Sequence, residues 1–279
     1  MKVYNLQQLL TEIRKKKAKI ELMCDIDSTY DIIINSFVKI NGNGHKINFL
    51  NFGSGINIKG NYNKIINLEI TNSSKTGVRI TGNHNIIKNV KASSNKRTGI
   101  QICKSGSYNK IIKCISAINN SNTNDADGFA CKLDSGNGNI FIKCISLNNE
   151  DDGFDLFAAG YSVKFYNCVA ISNGASGFKL GGIRDEIDLN YNIYHKLYNC
   201  EAYCNKLYGF TSNNQVGKII LKKCLASKNI KEGYFFPIVS HPKALSKKDL
   251  FLGETNIYHS FISGTINVLG CKKSDLINL

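Results

Sequence analysis

The chain has 279 residues, 42 % of them hydrophobic, with 36 Lys and Arg against 21 Asp and Glu for a formal charge of +15. That length can bury a sizeable core, and that apolar fraction excludes a disordered basic tail. No apolar run approaches the roughly 18 residues of a membrane span, so no membrane partner is expected, while the basic excess suits an anionic one.

The first segment, "NLQQLLTEIRKKK", carries apolar residues at Leu6, Leu9, Leu10 and Ile13. That spacing is a helical stripe, and it predicts a helix over residues 4–17 that caps one end of the fold. The N-terminus has no uninterrupted apolar segment and no small-residue cleavage site, unlike a cleavable secretory leader. Localisation is therefore left open.

From about residue 18 to 236 the chain repeats itself. A Gly followed by an apolar residue recurs at Gly55, Gly77, Gly99, Gly128, Gly153, Gly177, Gly209 and Gly233. A second series runs Leu68, Val90, Cys114, Cys144, Cys168, Cys200 and Cys224. Both series have a basic step of about 22 to 24 residues, and both lengthen at the same two places, as a repeat with two insertions would. An asparagine follows the second series five residues on, at Asn95, Asn119, Asn149, Asn173, Asn205 and Asn229. Asn tolerates the left-handed backbone of a sharp turn, and stacked amides can bond to the copies above and below. The intervening runs, such as "KIIKCISAI" and "VKFYNCVAI", are short and β-branched, so they are expected as strands.

Short strands repeating every 22 to 24 residues point to an all-β solenoid, a parallel β-helix whose coils stack because none can bury its own apolar face. The recurrent cysteines then occupy one interior position per coil and are expected as reduced core thiols. A zinc site is not expected, since no C-x-x-C occurs and the five His are scattered. Residues 237–279 lose the period and contain both prolines, Pro237 and Pro242. They are expected to form a C-terminal cap, with "NIYHSFISGTINVLG" as a possible last coil. The whole chain, 1–279, is read as one β-helix domain.

Stacking the repeats brings distant residues together. With each Gly as position zero, the residue at +1 faces inward and the residue at +2 faces solvent. Asp155 and Lys179 then become vertical neighbours on one outer face, and Asp127 lies one coil below Asp152, with Asp151 beside it. Like charges about 5 Å apart repel by ~3 kcal/mol at an effective dielectric near 20. Four converging carboxylates therefore need compensation, which Lys179 supplies in part. An all-oxygen set without His or Cys points to Ca²⁺ for the rest. A solvated acidic turn without metal is the alternative, but it would scatter its acids rather than stack them.

The stretches "DADGFACKLDSGNGN" (125–139), "NNEDDGFDLFAAG" (148–160) and "GASGFKLGG" (174–182) resemble, in order, the core motifs of family 9 polysaccharide lyases, the calcium-dependent pectate lyases. The resemblance covers about residues 108–235. It implies a right-handed parallel β-helix, a catalytic Ca²⁺ held by Asp127, Asp151, Asp152 and Asp155, and Lys179 as general base. It also implies β-elimination on a polygalacturonate-type uronic acid polymer. The segment from Asp155 to Lys179 is a plain coil where relatives often carry a longer loop. "GFTSNN" (209–214) lacks acids that relatives often have. Lys132 and Arg184 are candidate substrate-binding cations. A monomer acting on an acidic polysaccharide is expected. The rival readings are a glycoside hydrolase with an acid/base pair of carboxylates and a non-catalytic carbohydrate-binding or adhesion β-helix. Nucleic acid is set aside because no helix-turn-helix, zinc finger or RNP-type motif is present.

Overall fold

In the computed structural model the described residues are 1–123, 125–182, 193–213, 217–236 and the strand segments Thr255–Tyr258, Ser260–Ser263, Cys271–Lys272 and Leu276–Asn278. Their short apolar runs form strands, and the pairings among them are parallel, as in Val78–Ile80 on Ile100–Ile102 and Ile140–Ile142 on Lys164–Tyr166. One sheet stacks nine strands from Ile32–Ile34 to Tyr234–Phe235, one per coil. The remaining strands form the other walls, and no helix among the described residues is long and apolar enough to cross a membrane.

Each inward position repeats up the stack. Phe129, Phe154, Phe178, Phe210 and Tyr234, all following the repeat glycines, stack with centroids 4.6 to 5.2 Å apart. Cys114, Cys144, Cys168, Cys200 and Cys224 are fully buried and unbridged. Backbone bonds such as Ile145 N–H to the Cys114 carbonyl and Val169 N–H to the Cys144 carbonyl keep them in one column. Burial pushes the first four of these thiols well above the usual value, which suits inert core sulfur rather than redox chemistry.

The asparagine row is a continuous amide ladder. Asn95 donates to Asn119 at 2.9 Å, Asn119 to Asn149 at 2.7 Å, Asn149 to Asn173 and Asn173 to Asn205 at 3.0 Å, and Asn205 to Asn229 at 2.8 Å. The left-handed turn residue, however, is the one before each ladder asparagine: Ser94, Ile118, Asn148, Ser172, Cys204 and Lys228 all have φ between 52° and 56°. The ladder position keeps an ordinary backbone because its amide, rather than its φ, is what the turn needs.

The ladder also explains the repeat glycines. A Cβ on Gly153 would sit 2.5 Å from the Gly177 carbonyl oxygen and 2.9 Å from Asn173 Nδ2 and Ala170 Cβ. Gly153→Ala is expected to cost about 1–3 kcal/mol by overpacking, read as a lower denaturation midpoint. An unchanged midpoint would mean the turn can yield.

The ends differ from expectation. The helix spans Leu6–Glu12 rather than 4–17, begins at Asn5, whose side chain accepts from Gln8 N–H, and buries Leu9 and Ile13. The basic run after it leaves the helix, and Lys17, at φ 60°, turns the chain into strand Ala18–Leu22. At the other end, Thr255–Tyr258 pairs with Lys218–Lys222 and Ser260–Ser263 pairs with Leu225–Ser227. Cys271–Lys272 and Leu276–Asn278 then stack on these strands. The described strands within 237–279 thus extend the solenoid, as the last coil read in residues 256–270 would, rather than only capping it. Backbone pairing needs no glycine signature, so loss of the period did not end the stack.

Candidate active site

The site lies on the outer face of the nine-stranded sheet. Pairing of Phe129–Cys131, Phe154–Asp155 and Phe178–Lys179 sets Ala130 beside Asp155 and Asp155 beside Lys179. The Gly128 N–H bonds the Asp152 carbonyl at 2.9 Å, which places Asp127 directly under Asp152. Asp127, Asp151 and Asp152 bring carboxylate oxygens within 4.8 Å of one another. The row at +2 does point away from the core, yet Asp155 on it is 2 % exposed, because the side chains of neighbouring coils cover it.

Asp155 stands slightly apart from the other three. Its Oδ1 accepts from Phe157 N–H at 3.0 Å and faces Lys179 Nζ at 3.3 Å, while Oδ2 faces Lys132 Nζ at 2.9 Å. Burial alone would push this carboxyl up, yet Lys132 and Lys179 outweigh it and hold it below the usual value. Asp152 accepts from Ser176 N–H at 2.8 Å and faces Lys179 Nζ at 3.0 Å. Burial, which Lys179 offsets only in part, still leaves Asp152 raised. Asp151, less buried, is pushed up to about 7 by desolvation and by Asp152. Asp127 is pushed well above the usual range by burial and by Asp155.

The two lysines are not surface charges. Lys179 has a side chain 22 % exposed, and its ammonium lies 5.9 Å from the centre of the Phe157 ring. Burial lowers its pKa, but Asp152 and Asp155 outweigh burial and raise it. Lys132, a candidate substrate-binding cation, is buried against the acids. It faces Asp127 at 2.7 Å, Asp155 at 2.9 Å and Asp125 at 3.1 Å. Its offset of four from Gly128 puts it on the same outer face as Asp155, so the sequence carried that signal. Arg184 lies outside the described residues. Thr98, which donates to Asp127 Oδ2 at 3.1 Å, and Asp125 and Phe157 were not singled out in the sequence, although Asp125 opens the first motif and Phe157 follows Asp155 in the second.

The donor set suits a hard divalent cation. Among the described residues Asp127 Oδ1 is buried without a hydrogen-bond partner, which costs free energy unless something positive meets it. Four aspartates against Lys132 and Lys179 leave a formal charge of −2, and every candidate ligand atom is oxygen, as Ca²⁺ prefers.

A right-handed parallel β-helix with stacked aspartates and a lysine on one sheet defines the class of protein. Residues 14–244 match the family described as "Pel9A-like, right handed beta helix region", and the chain belongs to that family. The resemblance to family 9 polysaccharide lyases therefore holds. One curated relative, "Pectate lyase L" of Thermoclostridium stercorarium, is 39 % identical over 147 residues, which is 47 % of this chain and 11 % of that protein. Another, "Pectate lyase PEL9" of Emericella nidulans, is 36 % identical over 143 residues, 41 % of this chain and 34 % of that one. The matched stretches thus span 11 % and 34 % of these relatives' lengths. The solved structure titled "Crystal structure of pectate lyase Pel9A" superposes with a TM-score of 0.74 at 22 % identity, covering 95 % of this chain and 73 % of that one. That likeness is one of fold.

Proposed function

We propose that the protein is a polysaccharide lyase that cleaves a polygalacturonate-type uronic acid polymer by calcium-dependent β-elimination. The observation that carries this reading is the placement of Lys179 Nζ, 3.0 Å from Asp152 and 3.3 Å from Asp155, on the coil beside the three clustered acids. A base and an electrophilic centre are the two parts that proton abstraction beside a carboxylate requires. Asp127, Asp151, Asp152 and Asp155 would hold Ca²⁺, which when bound supplies positive charge to the sugar carboxylate and acidifies the proton at C5.

The protein's own residues do the rest. Lys179 Nζ, as the neutral amine, takes the C5 proton. The electron pair left behind forms the C4–C5 double bond as the C4–O glycosidic bond breaks, and the leaving oxygen collects a proton from solvent. Lys132 holds Asp127 and Asp155 in place from below. Phe157 packs beside the Lys179 ammonium and fixes Asp155 through its N–H. A Lys179 neutral at working pH requires that its carboxylate partners be engaged elsewhere, because in the protein alone they raise its pKa. The activity is therefore expected to rise with pH on the alkaline side.

Incubation with polygalacturonate and Ca²⁺ is expected to raise ultraviolet absorbance from the unsaturated product, and a chelator should abolish the rise. New reducing ends without absorbance would make the protein a hydrolase. Neither signal, with retained binding, would make it a carbohydrate-binding β-helix.

A further inference from the structure

Another wall of the solenoid, apart from the nine-stranded sheet that carries the acids, is built from a further short strand in each coil. Ile115–Ala117, Ile145–Leu147, Val169–Ile171 and Glu201–Tyr203 stack there in register, and Lys91 and Ser93 continue the column below them. The middle residues, such as Ser146 and Ala170, are buried. The first and third residues of each strand therefore face outward. The first outer row reads Lys91, Ile115, Ile145, Val169, Glu201, so three aliphatic side chains lie between a cation and an anion. The second reads Ser93, Ala117, Leu147, Ile171, Tyr203. Ile115 is 38 % exposed and Ile118, in the adjoining turn, 59 %. Ile145, Leu147, Val169 and Ile171 are half-buried. A contiguous aliphatic cluster on an outer face, rimmed by charge, marks an interaction surface.

The pattern has a centre. On either side of Ile145–Leu147 the first row is alike in hydropathy and opposite in charge. The second row is opposite in size: Ser93 and Ala117 are small and lie low in the surface, almost fully buried, whereas Ile171 and Tyr203 stand half-exposed. A face self-complementary about one line is what a two-fold homodimer requires. With the two-fold axis along Ile145–Leu147, the two stacks run antiparallel. Lys91 of each copy then meets Glu201 of the other, Ile115 meets Val169, and Tyr203 and Ile171 settle over Ser93 and Ala117. Alternation of large and small side chains is how facing layers interdigitate. An axis along the stack instead would lay the first row on the second and leave both charges without an opposite partner. Both charged ends are held in the free protein, Lys91 by Glu69 at 2.8 Å and Glu201 by the Tyr203 hydroxyl.

We infer that the protein associates with a second copy of itself through this wall, as an antiparallel two-fold dimer, in place of the monomer expected from sequence. The inference does not depend on the uronate-lyase reading, since the acid cluster lies on another wall and stays open in each copy. The five strands from Lys91 to Glu201 cover ~19 Å of the stack. That is a small face by the standard of specific interfaces, so the dimer is weak and forms with rising concentration.

Sedimentation velocity from micromolar to sub-millimolar protein tests this. The wild type is expected to pass from monomer to dimer across that range. Lys91→Glu and Glu201→Lys should each weaken the dimer by roughly tenfold or more, because each sets like charges against each other. The combined Lys91→Glu/Glu201→Lys should recover most of that loss. Within one chain the two residues stand ~19 Å apart, beyond the ~8 Å screening length at physiological salt, so recovery requires contact between copies. Leu147→Lys brings two cations together at the axis and should leave only monomer, with its melting midpoint reporting the fold. Should that variant misfold, the charge set decides alone. A wild type that stays monomeric throughout would overturn the proposal. A dimer indifferent to every substitution would place the contact on another face and overturn it too. So would a dimer weakened by the single charges and not recovered by the pair, since the antiparallel register would then be wrong.

Discussion

Lys179→Ala is expected to keep the fold and bind Ca²⁺ while losing at least ~10²-fold in turnover, the lower range for loss of a general base. The side chain is placed for the role by register alone: Lys179 pairs with Asp155 across neighbouring strands, one coil beyond the acids. Removing it is not a surface substitution. Lys179 compensates Asp152 and Asp155, which are almost fully buried. Breaking a buried pair by deleting one partner costs up to several kcal/mol. The variant should therefore melt earlier without metal, and Ca²⁺ should recover most of the difference by supplying the missing charge. Lys179→Arg should keep that stability but not the activity, because guanidinium stays protonated. A folded, calcium-loaded Lys179→Ala protein releasing unsaturated product near the wild-type rate would remove Lys179 from the mechanism.

The coil period was legible because each coil solves the same steric problem. The glycine must clear the asparagine ladder, as the 2.9 Å approach of a Gly153 Cβ to Asn173 shows, and the residue after it must fill the core. These two demands write a signature into every repeat. A second ladder, Asn63 to Asn85 to Asn109 to Asn139, joined by N–H to side-chain oxygen bonds of 2.8 to 3.0 Å, repeats just as faithfully and was not singled out. It lies among the tight turns, where asparagine has local explanations as well. The convergence of Asp127, Asp151 and Asp152 was legible because stacking turns sequence offset into spatial adjacency, while Asp155 stands slightly apart between Lys132 and Lys179.

What each charged side chain does was less legible. Strand alternation assigns a face, but it does not say what covers that face. Asp155 points outward and is nevertheless buried, and Lys132 folds its stem down into the acids instead of reaching into solvent. A long flexible side chain is placed by the strongest charges within its reach, and those come from two stretches of sequence: Asp125 and Asp127 on the coil of Lys132 itself, and Asp155 on the next coil.

The two sides of the charge balance should move calcium affinity in opposite directions. Asp127→Asn removes one negative charge from the −2 cluster and is expected to weaken Ca²⁺ binding on the order of 10²-fold. Coulomb's law between unit charges at ~5 Å and an effective dielectric near 20 gives ~3 kcal/mol, and 1.4 kcal/mol is about tenfold in affinity; the double charge of Ca²⁺ makes this a lower bound. Lys132→Met keeps the length of the stem and removes a positive charge that faces Asp127 at 2.7 Å and Asp155 at 2.9 Å. Without metal, that leaves buried carboxylates uncompensated, and the protein should be less stable. With metal, the added negative charge draws Ca²⁺ in, so binding should tighten by tenfold or more and the calcium-induced rise in melting temperature should grow. Calorimetric titration with Ca²⁺ and melts with and without chelator read both effects. A substrate contact with no part in the cluster would leave the calcium isotherm of Lys132→Met unchanged, and that result would return Lys132 to the substrate-binding role read from sequence.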